Sequence, residues 1–401
     1  MSNSWTVKGL TIYSETSIIN NGTIRIRDGK IEEVSHSDQQ STTEMNGNQT
    51  LIFPAGYHLV PGFIDIHIHG TAGADTMDGT KQALTAIASA LPKEGTTSFL
   101  ATTMTQQSAL IEVALQNVSS YMAQALPIDK GNQAAELLGV HLEGPFINEK
   151  RAGAQPIEHI LEPNLALFQK WQRLANNQIK LVTLAPEKEE GLAFVRHLTQ
   201  TGVVVSIGHS DATYEQTVMA IEAGLSQATH LYNGMRGLHH REPGVVGAAM
   251  LHPELISELI VDGIHSDPRM VQLAYRNKGK EGLILITDAM EAKGLRSGRY
   301  QLGGQAVFVD QQKGEARLQD GALAGSILKM DDAIRNMIAF TGCSLADVIT
   351  MVAENPAKQL GVFDRKGSIC AGKEADLVVL DENYELVMTF CRGHIAYEAE
   401  K

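Results

Sequence analysis

Between residues 59 and 288 the chain alternates short, nearly continuous apolar runs with longer amphipathic stretches. The apolar runs lie at 59–69, 97–103, 137–143, 179–185, 203–209, 227–231, 257–262 and 283–288. Helical patterns at 80–93, 106–124, 162–176, 188–200, 213–223 and 267–277 separate most of them. Strands that are apolar along their whole length are buried on both faces, as in a parallel sheet covered by helices. Eight such strands with intervening helices predict a (β/α)8 barrel, with an open doubly wound sheet as the alternative. Two more helices are expected at 330–340 and 345–354.

The two ends of the chain have a different rhythm. Residues 5–35 read as short strands, and "TIRIRDGKIEEVS" alternates in period two around a turn at Asp28-Gly29. The polar stretch 36–50 is expected to be a loop or hairpin rim. From residue 367 the tail is strand-rich again. The ends are expected to pair into one small β domain, residues 1–57 with 361–401, beside a barrel of residues 58–360.

Composition excludes several function classes. A formal net charge of -13 disfavours nucleic-acid and anionic-membrane partners. The three cysteines, Cys343, Cys370 and Cys391, form neither a disulfide framework nor a CxxC metal knuckle, which fits a reducing compartment. No secretion signal and no apolar run near 18 residues is read, so a cytoplasmic protein is expected.

The strand ends carry the chemistry. The first ends "DIHIHG" with His67 and His69, the third "GVHLEGPF" with His141 and Glu143, and the fifth "VSIGHS" with His209. The sixth ends "ATHLYNGM" with His230 and the eighth "LITDAM" with Asp288. In a barrel these ends converge on one mouth, where active sites sit. Residues two apart on a strand point the same way, so His67 and His69 can face one cation. Imidazoles with a carboxylate suit Zn²⁺, and also Fe or Co. Glu143 could bridge two cations, with His209 and His230 holding the second. Asp288, outside that set, could act as a base toward a metal-bound water. Taken singly, each has a plainer reading. An HxH pair alone is a weak signal, His141 could be a packing or supporting residue, and an Asp after a strand is commonly a helix N-cap. The joint pattern over five strands favours a metal-dependent hydrolase. His58, His159, His197, His252 and His394 are expected to be ordinary surface or loop residues. "MRGLHHREPG" adds a basic loop, Arg236, His239, His240 and Arg241, suited to a phosphate.

Over nearly its whole length the chain resembles the N-acetylglucosamine-6-phosphate deacetylases of the amidohydrolase superfamily. The resemblance rests on "PGFIDIHIHG", "HLEGPFI", "GAQ", "SIGHSDAT", "THLYNGM", "DGIH", "LITDAM" and "LAGS". It implies a (β/α)8 barrel flanked by a small β-sandwich built from both termini. It also implies hydrolysis of N-acetyl-D-glucosamine 6-phosphate to glucosamine 6-phosphate and acetate, in amino-sugar catabolism and cell-wall sugar recycling. Carried over by motif, Glu143, His209 and His230 would bind the principal Zn²⁺ or Fe²⁺, and Asp288 would be the acid/base. Asn233 and Gly234 would contact the sugar phosphate. Arg241 and His265 would hold its phosphate, Arg241 by reaching the partner's site in a homodimer. Ala154 and the turn Leu323, Ala324, Gly325 and Ser326 would offer backbone contacts. Some family members replace the HxH histidines and keep one metal; both are intact here, so one or two ions fit. Where some members have a His after the Ala, this chain has Gln155, which donates a hydrogen bond but carries no charge.

Rival readings fit less well. Cyclic amidases bridge two metals with a carboxylated Lys at the end of strand four, but Lys180 lies at that strand's start and Lys188 beyond its end. A decayed, non-enzymatic scaffold would have lost ligands. A two-carboxylate glycosidase would not need a cage of histidines.

Overall fold

The computed structural model describes residues 4–36, 49–124 and 133–400. At the amino terminus β1 (Ser4–Tyr13), β2 (Ile18–Arg27) and β3 (Lys30–His36) form an antiparallel meander. Its second turn is Asp28-Gly29, with φ of 50° and 78°, the left-handed pair that a tight hairpin demands. Both β4 (Gln49–Ile52) and β5 (His58–Pro61) pair parallel with β1. Residues 37–48, most of the polar stretch read as a loop or rim, lie outside the described residues.

The barrel begins at Gly62. The run 59–69, read as one strand, is two: β5 stays with the terminal sheet and β6 (Phe63–Ile68) starts the barrel. The break needs glycine, because a Cβ on Gly62 would meet Thr97 Oγ1 at 2.2 Å. A small hairpin follows, β7 (Gly70–Thr71) with β8 (Ala74–Asp75). The parallel sheet continues through β9 (Thr96–Thr103), β10 (Glu136–Glu143), β11 (Ile179–Leu184), β12 (Val204–Ile207), β13 (Gln227–Ala228), β14 (Ile256–Ile260) and β15 (Leu283–Ile286). Helices α1 (Lys81–Ala90), α2 (Ser108–Ala123), α3 (Leu165–Leu174), α4 (Gly191–Gln200), α5 (Tyr214–Glu222), α6 (Gly244–Leu251) and α7 (Pro268–Lys278) lie between the strands. The fold is the expected (β/α)8 barrel. It closes between β6 and β15 at the strand ends, where Asp288 N–H donates to His67 O at 2.8 Å and His69 N–H to Ala289 O at 2.9 Å. Asp65, the one acid inside β6, braces that seam: its carboxylate accepts the hydroxyl and backbone N–H of Thr287.

After β15 comes a three-stranded antiparallel sheet, β16 (Gly298–Leu302), β17 (Gln305–Asp310) and β18 (Glu315–Leu318). Helices α8 (Met330–Thr341), α9 (Leu345–Ile349) and α10 (Asn355–Gln359) follow. The chain then returns to the first sheet with β19 (Leu377–Leu380), β20 (Leu386–Cys391) and β21 (His394–Glu398). The pairing of β19 with β5 joins the two ends of the sequence in one sheet. Val7, Ile24, Leu59, Leu377, Val379 and Phe390 form its shared buried core.

A buried ion cluster ties this terminal unit to the barrel. Lys366, 2% exposed, reaches Glu136 of β10 at 2.8 Å, Glu374 at 2.7 Å, and Asp376. Arg365 binds both oxygens of Glu136 at 2.9 Å. Burial alone would raise the Glu136 pKa; Lys366 and Arg365 outweigh it and bring it down to about 2. A charge this deeply buried holds only when paired.

Candidate active site

The mouth of the barrel collects the histidines and carboxylates of the strand ends. His67 lies on β6 with His69 just after it, and His141 and Glu143 lie on β10. His209, His230 and Asp288 each follow a strand by two residues, with φ of 47°, 31° and 49°. Those angles lie in the left-handed region that non-glycine residues avoid. Strain of this kind persists where the surroundings over-determine it, commonly at functional sites. Gly208 precedes His209 because strands crowd there: a Cβ would meet Thr183 Cγ2 and Thr229 Cβ, both at 2.7 Å.

These side chains form two overlapping cation cages. Glu143, His209 and His230 make one, and His67, His69 and Glu143 the other, with all six groups buried once Asp288 is included. Glu143 Oε1 is 3.1 Å from His209 Nε2 and 3.2 Å from His230 Nε2, and these two nitrogens are 3.1 Å apart. Their Nδ1 atoms are taken by backbone carbonyls, Arg151 O at 2.8 Å and Asn233 O at 3.1 Å. With Nδ1–H donating, each Nε2 turns its lone pair toward the carboxylate. Three electron-rich atoms so close repel unless positive charge lies between them. In the second cage His67 Nε2 is 3.5 Å from Glu143 Oε1, and His69 Nε2 is 3.3 Å from Glu143 Oε2. Among the described residues His67 Nε2 has no hydrogen-bond partner. A cage of imidazole nitrogen and carboxylate oxygen fits a divalent transition metal.

Electrostatics agree. Burial disfavours the Glu143 anion, but His67, His209 and His230 outweigh it and hold its pKa well below the carboxylate range. Burial also disfavours the His69 cation, yet Asp288 and Glu143 raise its pKa to about 10. A metal entering this cage therefore displaces protons, and its affinity falls as pH falls. Asp288 Oδ1 stands 3.4 Å from His67 Nε2 and 3.3 Å from His69 Nε2. Burial works to raise its pKa, and His67 with His69 outweighs it and lowers it, so the group is an anion able to accept a proton. His141 lies outside both of these cages and forms a third close group with His67 and Glu258. Its Nε2 bonds Thr183 Oγ1 at 2.7 Å, and burial beside His67 drives its pKa well down.

Sequence reasoning missed one carboxylate. Glu258 of β14 sits under the cage, with Oε2 2.8 Å from His67 Nδ1. Nothing marks it in "ISELIV" beyond a lone acid inside an apolar strand. Gln155, whose part the sequence left open, lines the cleft and touches Glu143. Its amide donates to Glu143 Oε2 at 2.8 Å and accepts from Thr105 N–H at 2.8 Å, so it orients the shared carboxylate.

Beside the cage lies a cavity of about 200 Å³. It brings together His69, Glu143, Ala154, Gln155, His209, His230, Asn233, Gly234, His265, Asp288, Leu323 and Gly325 of the residues singled out from sequence. Leu302 of β16 and Met104 add apolar wall. Gln305 of β17 binds Ala154 O at 2.6 Å and anchors the small sheet over the mouth. Ala324 and Ser326 stay behind the wall. Ser326 N–H donates to Asp288 O at 2.7 Å and so holds the Asp288 turn rather than facing the cavity. His265 is braced by Asp262, Nδ1 to Oδ2 at 2.6 Å; burial works against its cation and Asp262 outweighs it, raising the pKa. The basic loop splits. Arg236 is committed to Asp211 at 2.9 Å and Glu242 at 3.4 Å, while His239, His240 and Arg241 are exposed and line no part of this cavity.

A parallel barrel with such a cage over one cleft defines a metal-dependent hydrolase. A family model described as "Amidohydrolase family" matches residues 58–396. The chain is 48% identical to the N-acetylglucosamine-6-phosphate deacetylase of Bacillus subtilis (strain 168), over 99% of this chain and 98% of that one. It is 40% identical to an N-acetylgalactosamine-6-phosphate deacetylase of Escherichia coli O157:H7, over 84% and 87% of the two chains. The crystal structure of the N-acetylglucosamine-6-phosphate deacetylase of Thermotoga maritima superposes with a TM-score of 0.86 at 34% identity, covering 98% and 100%. The chain belongs to the amidohydrolase family, in the branch that holds these hexosamine-phosphate deacetylases.

Proposed function

We propose that the chain hydrolyses the N-acetyl group of N-acetyl-D-glucosamine 6-phosphate, releasing acetate and glucosamine 6-phosphate. The observation that carries the reading is the pair of cages sharing Glu143, with the Asp288 carboxylate beside both and opening on the same cleft. Glu143, His209 and His230 would hold Zn²⁺ or Fe²⁺, and His67, His69 and Glu143 would hold a second ion. A bound ion of this kind lowers the pKa of water and polarises a carbonyl.

The chain's own groups supply the rest. Asp288 Oδ1 takes a proton from the attacking water and returns it to the departing nitrogen, since an unprotonated amide nitrogen leaves poorly. Gln155 keeps Glu143 turned so that Oε1 faces His209 and His230. Asn233, Gly234 and the backbone at Ala154, Leu323 and Gly325 place the sugar. Met104 and Leu302 keep water from that side of the cleft. The phosphate is met by His265 and, in a cytoplasmic homodimer, by Arg241 of the second copy. Exposure of Arg241 outside its own cavity supports that assignment.

Acetate release from the glucosamine and galactosamine forms, each with and without 6-phosphate, before and after chelation, tests the reading. The expected result is chelator-sensitive release that prefers N-acetylglucosamine 6-phosphate. Equal turnover of the unphosphorylated sugar would overturn the phosphate assignment, and preference for the galactosamine form would overturn the sugar.

The His265 brace gives a pH prediction. A histidine with a raised pKa carries its charge below that pKa and loses it as pH climbs through it. KM for the phosphorylated sugar is therefore expected to rise on the alkaline side. In Asp262→Asn the rise moves to lower pH, toward the ordinary imidazole value of about 6.5. At neutral pH KM increases by roughly tenfold or more, because hydrogen bonds to charged groups contribute about 1.5–3 kcal/mol. KM–pH profiles of the two proteins measure it, and superimposable profiles would refute it.

A further inference from the structure

Glu258 touches ligands of both cages. Its Oε2 lies 2.8 Å from His67 Nδ1 and accepts the His230 backbone N–H at 3.2 Å, while Oε1 accepts Gln227 Nε2 at 2.6 Å. Its own carbonyl accepts Leu231 N–H at 2.9 Å. The residue is 0% exposed, and among the described residues its ion-pair partner is His67 rather than a Lys or Arg.

We propose that Glu258 is a positioning residue that clamps both metal clusters at once. Accepting a proton from His67 Nδ1 leaves the Nε2 lone pair directed into the cage, as carboxylates behind metal-binding histidines do. The second clamp is on the backbone. His230 sits at φ 31°, a conformation that needs outside support. Glu258 supplies it by holding the N–H of His230 with its side chain and that of Leu231 with its main chain. That turn sends the His230 ring to Glu143. The ligands of the two cages are thus tied through one buried anion as well as through Glu143.

The neighbour Gln227 makes the idea testable. Its Oε1 has no hydrogen-bond partner among the described residues. In Glu258→Gln the Gln227 amide can rotate, accept from the new N–H, and leave the new carbonyl oxygen facing His67 and His230. Glu258→Asp withdraws the acceptor by one methylene, and Glu258→Leu removes it. Metal-free proteins are titrated with Co²⁺ against a chelator, and the visible bands report the ligand field of each equivalent. In Glu258→Asp and Glu258→Leu, every equivalent that wild type holds is expected to bind about 10–100-fold more weakly. Glu258→Gln stays within a few-fold of wild type. Wild-type affinity in both disrupted variants, or weakening of only one of two bound equivalents, would overturn the proposal. A loss in Glu258→Gln as large as in Glu258→Leu would assign the effect to charge, and also overturn it. If Glu258→Leu does not fold, as thermal melts of the metal-free proteins will show, Glu258→Asp against Glu258→Gln decides. The inference rests on the cage being a metal centre, so a wild type that binds no Co²⁺ sinks it. A wild type that binds metal but releases no acetate sinks the deacetylase reading alone.

Discussion

Asp288→Asn is expected to lower kcat by about 1,000-fold, within the 10²–10⁴-fold span of positioned proton transfer, while bound metal per chain stays at the wild-type level. The substitution keeps the shape of the side chain. Its carbonyl can still face His67 and His69, which stand 3.4 Å and 3.3 Å from Asp288 Oδ1. What it loses is basicity. Asp288 is buried, yet the positive charge of His67 and His69 keeps it an anion, and a cation in the cage would do the same, so it can receive a proton. An amide cannot take that proton, and the leaving nitrogen would go unprotonated. Substrate binding uses other groups in the cleft, so KM should move little. Steady-state kinetics with elemental analysis of the same preparation measure both quantities. Substantial residual turnover with full metal would remove Asp288 from the chemistry.

The second large effect is expected at Glu143. Glu143→Gln should yield a folded protein that holds metal at least about 100-fold more weakly, the upper end found for supporting residues alone. Hydrogen bonding decides how the new amide sits. Thr105 N–H fixes the Gln155 amide, whose N–H then demands an oxygen at the Oε2 position of residue 143. The new NH₂ must therefore face His209 and His230, whose nitrogens lie 3.1 Å and 3.2 Å from Oε1. Two N–H donors would then fill the place of a cation. Where the imidazoles are neutral the lone pairs there would be satisfied, so the variant is expected to keep a cooperative melt without metal. Metal content after dialysis and paired thermal melts test this. Retained metal at wild-type affinity would show that Glu143 is not a ligand.

Much of the fold was legible in the sequence because its periods are simple. Runs buried on both faces marked seven of the eight barrel strands well. The run 59–69 hid a change of sheet, because Val60 and Phe63 are equally buried on either side of Gly62. Helix α6 was invisible for the opposite reason: "GVVGAAML" is apolar all round and shows no amphipathic stripe. The sheet β16 to β18 was passed over, although Gly303-Gly304, with φ of 55° and 77°, is a hairpin signal between its strands. Its importance is tertiary, since Leu302 and Gln305 act on the cleft from a sheet of modest core.

The order of residue types along the chain determined that eight strands would form and that histidines and acids would stand at their ends. Those are local properties, set by side-chain period and apolar content. The strand ends already suggested a ligand role for Glu143 and a base role for Asp288; the place of Glu258 came only with tertiary structure. Glu143, Glu258 and Asp288 are all acids on or just after barrel strands, but Glu258 sits inside its strand, without the strand-end position that marks the other two. Barrel closure places one between two pairs of imidazoles, one behind His67, and one beside the cleft. The left-handed turns at His209, His230 and Asp288 suit residue types that tolerate positive φ, but they are fixed by tertiary hydrogen bonds from Asn148 N–H to His209 O, from His230 N–H to Glu258 and from Asp288 N–H to His67 O.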